Sequence, residues 1–141
     1  DLWDTIMLKY GILNQAAAQE ALPLAIQNNV GIMNMAAVRV KLPDPDLLQE
    51  LMREWAKQGH IKHDSVPDEN PLNWLVHDDV ISVVGAGYKF AADHPAVATV
   101  ITGTSNISHL QENAVALEKP YLPAEDTKLV KKLFGQINEY V

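Results

Sequence analysis

The 141-residue chain is about as long as one domain, and its 48% apolar content is enough to build a core. Its net charge of −7 argues against nucleic-acid or anionic-membrane partners, since both require basic patches. With no cysteine it forms no disulfides, and no apolar run approaches the length of a membrane span. No signal peptide is visible, and a cytoplasmic location is expected. The sequence opens on Asp1 rather than Met, which is expected of a piece of something larger. It shows no low-complexity segment and no internal repeat.

Residues 4–10 read as a strand that begins almost at once, and residues 11–15 read as a loop. Residues 16–28 are Ala- and Leu-rich and are expected to be helical. Pro23 forces that helix either to start near Leu22 or to bend there, and Asn28-Asn29 ends it. Residues 30–38 form a second strand, apolar on both faces. A Pro/Asp loop over 41–45 leads to a helix capped by Asp46, with Leu47, Leu48, Leu51, Met52 and Trp55 on one face and Gly59 as its stop. Residues 60–71 are polar, contain two prolines and read as a surface loop. A third helix is expected from Asp78 or Asp79 to Ala92, apolar nearly all round and therefore buried, ending at His94-Pro95. From residue 122 a last amphipathic helix begins, with acids in its first turn and a stripe of Leu129, Val130, Leu133, Phe134 and Ile137.

Between these lies Val97-Ala98-Thr99-Val100-Ile101-Thr102-Gly103-Thr104-Ser105-Asn106-Ile107-Ser108. An apolar β-branched run reads as a buried parallel strand. A small-residue loop follows, and Ser108 with Gln111 makes a capping-box pattern at the start of a helix. Strand, open loop and helix N-terminus together can hold an anion, with hydroxyls from Thr104 and Ser105 added. Such a loop is also what the turn alone demands.

Strands apolar on both faces that alternate with helices argue for a parallel sheet covered by helices. Three strands leave both sheet edges open, and open edges invite pairing. Part of a larger parallel sheet or barrel is expected.

The same residues resemble the aldo/keto reductase family, in its galactose- and fucose-dehydrogenase-like branch. Asp4-Thr5-Ile6-Met7-Leu8-Lys9-Tyr10 is similar to the family's sixth barrel strand, and Asn29-Val30-Gly31-Ile32-Met33-Asn34-Met35-Ala36 to its seventh. Tyr88-Lys89-Phe90-Ala91-Ala92-Asp93-His94-Pro95-Ala96-Val97, followed by Thr99-Val100-Ile101-Thr102-Gly103-Thr104-Ser105, resembles the end of the seventh helix and the eighth strand. His109-Leu110-Gln111-Glu112-Asn113 resembles the eighth helix, and Leu122-Pro123-Ala124-Glu125-Asp126 the C-terminal helix. The likeness spans nearly the whole chain. It implies a single domain over residues 1–141, an α/β fold of parallel βα units making about the last three-eighths of a (β/α)8 TIM barrel, plus a C-terminal helix. It also implies NAD or NADP bound at the C-terminal ends of the strands. By position, Met35 stands at the nicotinamide ring, with Ala36, Val38 and Val40 along the pyrophosphate loop. Gly103, Thr104, Ser105, Asn106, His109, Glu112 and Asn113 surround the adenosine end.

Several positions depart from the family pattern. Met35 stands where an aromatic residue is frequent, and Met7 falls near the amide-binding glutamine. Gly103 and His109 replace basic residues on the adenosine side. A 2′-phosphate favours Arg or Lys, so these losses shift the preference toward NAD. The family's catalytic Asp, Tyr, Lys and His belong to the first half of the barrel, and Tyr10, Tyr88, Tyr121 and Tyr140 do not stand in the acid's motif. No catalytic residue is therefore expected in this chain.

The remaining candidates read as structure. His60, His63 and Asp64 lack a second ligand pair and read as a solvated loop, so no metal is expected. His77-Asp78-Asp79 reads as a turn with an N-cap, and His94 as a helix-end residue favoured by the dipole. Met33, Met52 and Trp55 read as core. Trp74 either covers the barrel mouth or packs under its loop. The expected function is the cofactor-side portion of an NAD(P)-dependent reductase of a sugar or small aldehyde, partnered by the missing N-terminal barrel half. The alternative is a non-catalytic half-barrel that closes its open edges as a homo-oligomer. A weak nucleotide-binding module built only on 103–106 is a third reading.

Overall fold

A computed structural model describes residues 3–137; Tyr140 lies outside the described residues. One sheet holds three parallel strands in the order β1 (Thr5–Lys9), β2 (Gly31–Met35), β3 (Val97–Val100). β2 pairs with β1 in continuous register, from Thr5↔Gly31 to Lys9↔Met35. It pairs with β3 across a bulge at Ile32/Met33. The helices are α1 (Ala21–Gln27), α2 (Pro45–Gln58), α3 (Val83–Ala92), α4 (Ile107–Glu118) and α5 (Ala124–Phe134). The expected alternation of strands and helices is present, and the sheet is parallel.

The strands are not buried on both faces as their composition suggested. Side chains alternate across a strand, and on β2 Ile32 and Asn34 are buried while Met33 and Met35 are only half-buried. The buried face joins Leu8, Tyr10 and Val100 in the core. On the other face Met7 is 54% exposed, and β3 is largely exposed. Helices of the described residues pack on one face only, so a β-branched run such as 97–101 keeps one side open.

Helix ends differ from the sequence expectations where local hydrogen bonding decides them. Residues 16–28 split into a 3-10 turn at Ala16–Ala18 and α1, which places Pro23 in the first turn, where an N–H is not needed. Asp44, not Asp46, caps α2; its carboxylate accepts from the N–H groups of Asp46 and Leu47 at 3.1 Å each. Pro45 then occupies the position that suits its fixed φ. Gly59 ends α2 in the left-handed conformation, φ 79°. α3 starts at Val83, because the Ser82 hydroxyl accepts from Gly85 N–H at 2.9 Å. Residues 78–82 are therefore a turn, entered through Asp78 at φ 49°. α4 is capped by Asn106 rather than Ser108, the Asn106 side chain accepting from Ser108 N–H at 2.9 Å.

One hydrophobic cluster holds the molecule together, with Trp55, Tyr10, Phe90, Phe134 and Leu22 among its fully buried side chains. Trp74 is half-buried against this cluster. Lys89 is buried with them; its ammonium donates to the carbonyl of Lys119 at 2.6 Å, the C-terminal cap residue of α4. A cation there complements the negative end of the helix. Desolvation lowers the Lys89 pKa.

Two histidines respond to pH in opposite senses. His77 does not serve a cap; its ring bridges Asp78 (Nδ1–Oδ2 2.9 Å) and Asp126 in the first turn of α5 (Nε2–Oδ2 2.7 Å). The hydrogen bond with Asp78, then that with Asp126, raises its pKa above 6.5. His94 was expected to be a dipole-favoured cation. Instead its Nδ1 accepts the Ala96 N–H at 3.2 Å and its ring meets Tyr10 edge-on. Burial, then Lys131, lowers its pKa. A raised folded pKa gives stability that is fully present below the unfolded value and is lost as pH rises through the folded one. Replacing His77 by Gln is therefore expected to lower the thermal midpoint most below pH 6.5, above the range of carboxylate titration, with the gap closing as pH rises. A gap that widens with pH sinks the two-carboxylate clasp.

Candidate functional site at the strand ends

The C-terminal ends of β2 and β3 open into a cleft of about 500 Å³ between three elements. Val38, Arg39, Val40 and Pro43 form one wall, from the segment after β2. Ser82, Val84 and Tyr88 come from α3 and its cap. Gly103, Thr104, His109, Glu112 and Asn113 come from the loop after β3 and the first turns of α4. Positions up to 75 residues apart in sequence, Val38 and Asn113 among them, thus share one surface, because parallel strands end together on one side of a sheet.

Of the residues singled out by sequence, Val38, Val40, Gly103, Thr104, His109, Glu112 and Asn113 line this cleft. Met35 is the last residue of β2, half-buried on the open face. Ala36 follows it at φ 58° and, with Ala37, borders a separate small cavity. A non-glycine residue in the left-handed region is strained by about 1 kcal/mol or more. Ser105 and Asn106 are exposed and lie outside the cleft lining.

The loop after β3 is more self-satisfied than its composition suggested. Thr104 Oγ1 accepts the Asn106 N–H at 3.1 Å, and Asn106 Oδ1 accepts both the N–H and the hydroxyl of Ser108. Two of the backbone donors counted on for an anion are thereby occupied. Asn113 is buried and donates to the Thr102 hydroxyl at 2.7 Å, which ties α4 to the strand end.

Two cleft residues were missed by the sequence reading. Arg39 is one of only two arginines in the chain and stands between the chosen Val38 and Val40. It borders both the cleft and the cavity beside Ala36. Its type was the available signal, since a guanidinium beside a strand end suits phosphate. Tyr88 read as core, and it is buried on one side while lining the cleft on the other.

The cleft wall depends on a close approach by α3. A Cβ at Gly87 would stand 2.6 Å from Leu42 Cδ2 and 2.9 Å from Val38 Cγ2. Gly87→Ala is expected to cost about 1–3 kcal/mol by overpacking and to displace the 38–42 segment. Urea unfolding and the amide resonances of Val38 and Leu42 read both effects; an unshifted Val38 contradicts the contact.

Other clefts and clusters lack this chemistry. The largest, about 790 Å³, lies between α2 and residues 63–68, and its Arg53 is held in a two-pronged pair with Asp68 at 2.8 and 2.7 Å. His63 pairs with the adjacent Asp64 in solvent. Among the described residues no group of three or more His, Asp or Glu side chains is placed to hold a metal, and no helix is long and apolar enough to cross a membrane. Tyr10 is no candidate acid: burial, then Asp93, pushes its pKa up to about 12.

With that geometry described, comparison with known proteins is informative. The structure is similar to the aldo-keto reductase AKR11C1 from Bacillus halodurans in its holo form, at 24% identity and a TM-score of 0.62. The match covers 97% of this chain and 44% of that one. Against the apo form of the same protein the values are 23% identity, TM-score 0.63, and coverage of 98% and 45%. The chain thus spans less than half the length of these solved relatives, and the likeness is one of fold. Among curated proteins no relative matches. The aldo/keto reductase family itself matches residues 3–134, and the chain belongs to that family.

Proposed function

We propose that this single domain is the cofactor-side portion of an NAD(P)-dependent aldo/keto reductase of the galactose- and fucose-dehydrogenase-like branch, acting on a sugar or small aldehyde. In this reading the three βα units are the last three-eighths of a barrel, and the rest of the barrel covers the open sheet face. The cleft at the ends of β2 and β3 carries the reading, because a barrel's site lies at the C-terminal ends of its strands.

The residues present fit a dinucleotide. The cleft is long enough to span from Arg39 to the first turns of α4, and its apolar wall of Val38, Val40 and Pro43 suits a ribose or base face. Arg39 holds a phosphate with the guanidinium geometry that Gly103 and His109 no longer offer. Met35 lies against the nicotinamide, and Ala36 directs backbone toward the pyrophosphate. Thr104 keeps its hydroxyl proton for a ligand, because its oxygen is the acceptor in the loop. Ser105, Asn106, Glu112 and Asn113 frame the adenosine end. When bound, the nicotinamide exchanges hydride with a carbonyl carbon, and a positioned acid must meet the carbonyl oxygen. We assign that acid to the part of the barrel outside these residues.

Calorimetric titration with NADH and with NADPH tests this. Saturable binding is expected for at least one of them, and Arg39→Met is expected to weaken it by roughly tenfold, the loss of one charge-assisted phosphate contact. No saturation up to millimolar cofactor removes the reading. The ratio of the two affinities decides between NAD, which His109 and Gly103 favour, and NADP.

The exposed face around Met7 and the open edges of β1 and β3 favour a second reading, in which two copies pair through that face without catalysis. Sedimentation at several concentrations decides it: a stable monomer removes self-association.

A further inference from the structure

The open face of the sheet carries an ammonium beside the proposed ring position. Lys9 is the last residue of β1, and its Cα partner across the ladder is Met35. Leu8 and the residue after β1, Tyr10, turn into the helix-covered core. Alternation therefore places Lys9 on the face of Met7 and Met35, half-buried at the strand's C-terminal end. With Arg39 and Lys41, Lys9 borders the small cavity next to Ala36, and none of that cavity's lining residues is acidic. Over the whole chain acids outnumber bases by 18 to 11. Three cations at one strand end run against that balance and make a local positive potential.

We propose that Lys9 is a specificity-determining residue, and that the carbonyl substrate carries an anionic group, a carboxylate or phosphate, as a sugar acid does. The inference rests on the proposed function, since Met35 must lie at the ring for its strand neighbour to face the substrate. Parallel strands lie about 4.8 Å apart, so the ammonium on its flexible stem reaches a group bound over Met35. A lysine acts there as a point charge that accepts an anion from several directions. Arg39, one segment further out, remains with the dinucleotide.

The test is calorimetric titration of the full chain, first with NADH and then, in the NADH-loaded sample, with glucuronate and with glucose. Glucuronate is expected to bind roughly tenfold or more tightly than glucose. Lys9→Met is expected to erase that preference and Lys9→Arg to keep it, with circular dichroism confirming that both variants fold. Equal binding of the two sugars in the NADH-loaded chain overturns the role of Lys9 and leaves the proposed function standing. Failure of NADH to bind at the first step overturns the proposed function, and this inference with it. If Lys9→Met weakens NADH itself and leaves the sugar preference intact, the lysine serves the cofactor and the inference falls.

Discussion

Asn34→Ala is expected to lower the unfolding free energy by about 2–4 kcal/mol. Asn34 is fully buried in β2, on the face that the helices cover. Its side chain copies a backbone amide: Oδ1 accepts from Tyr10 N–H at 2.9 Å, and Nδ2 donates to Tyr10 carbonyl at 2.8 Å. Its own backbone carbonyl accepts from Ile101 N–H at 2.8 Å on the opposite side. One residue therefore joins all three strands just where they end and the cleft begins. Alanine deletes both side-chain bonds and leaves the N–H and C=O of buried Tyr10 without those partners. An unmade buried bond costs more than a made one contributes, which sets the size of the effect. Asn34→Leu, of similar volume, is expected to lose nearly as much, because packing does not replace the two bonds. Urea unfolding measures both, and a loss under about 1 kcal/mol for either contradicts this account. Since Tyr10 follows Lys9, slower proton exchange at Tyr10 N–H in the wild type than in either variant is a second readout.

Trp55→Ala is expected to cost about 3–5 kcal/mol, the range for deleting a buried aromatic. Total stabilities of about 5–15 kcal/mol make that a third or more of the whole. Trp55 is completely buried on α2, and its ring lies 5.9 Å from that of Phe134 on α5, tilted by 45°. The pair fastens the C-terminal helix to the middle of the chain, as does His77 with Asp126 at the other end of α5. Trp55→Ala is therefore expected to speed amide exchange in α5 more than in α3. A double-mutant cycle with Phe134→Leu is expected to show a coupling of about 0.5–1.5 kcal/mol, typical of aromatic pairs. Strictly additive losses would mean that Trp55 acts only by filling volume.

By itself the sequence determined the kind and order of the elements and the family. Strand runs, helix stripes and the string from Ala91 to Asn113 are local patterns, and local patterns carry propensity and periodicity. The stripe of α2, with Leu48, Leu51, Met52 and Trp55, is buried as its spacing requires. Gly59 stops that helix because a left-handed residue there is cheap only for glycine. Tertiary structure decided what depends on which groups meet. It chose Asp44, Ser82 and Asn106 as caps over neighbours of equal propensity. It turned His94 from a helix-end cation into an acceptor beside Tyr10. It made Asn34, a polar residue in an apolar strand, the join between strand ends. It also brought Arg39 and Tyr88 to the cleft, where position-by-position reading had taken Val38 and Val40. The physical reason is common to all of these. A side chain's propensity is fixed by its own covalent structure, whereas a hydrogen bond, a desolvated charge or a shared cleft wall needs a partner that sequence separation conceals.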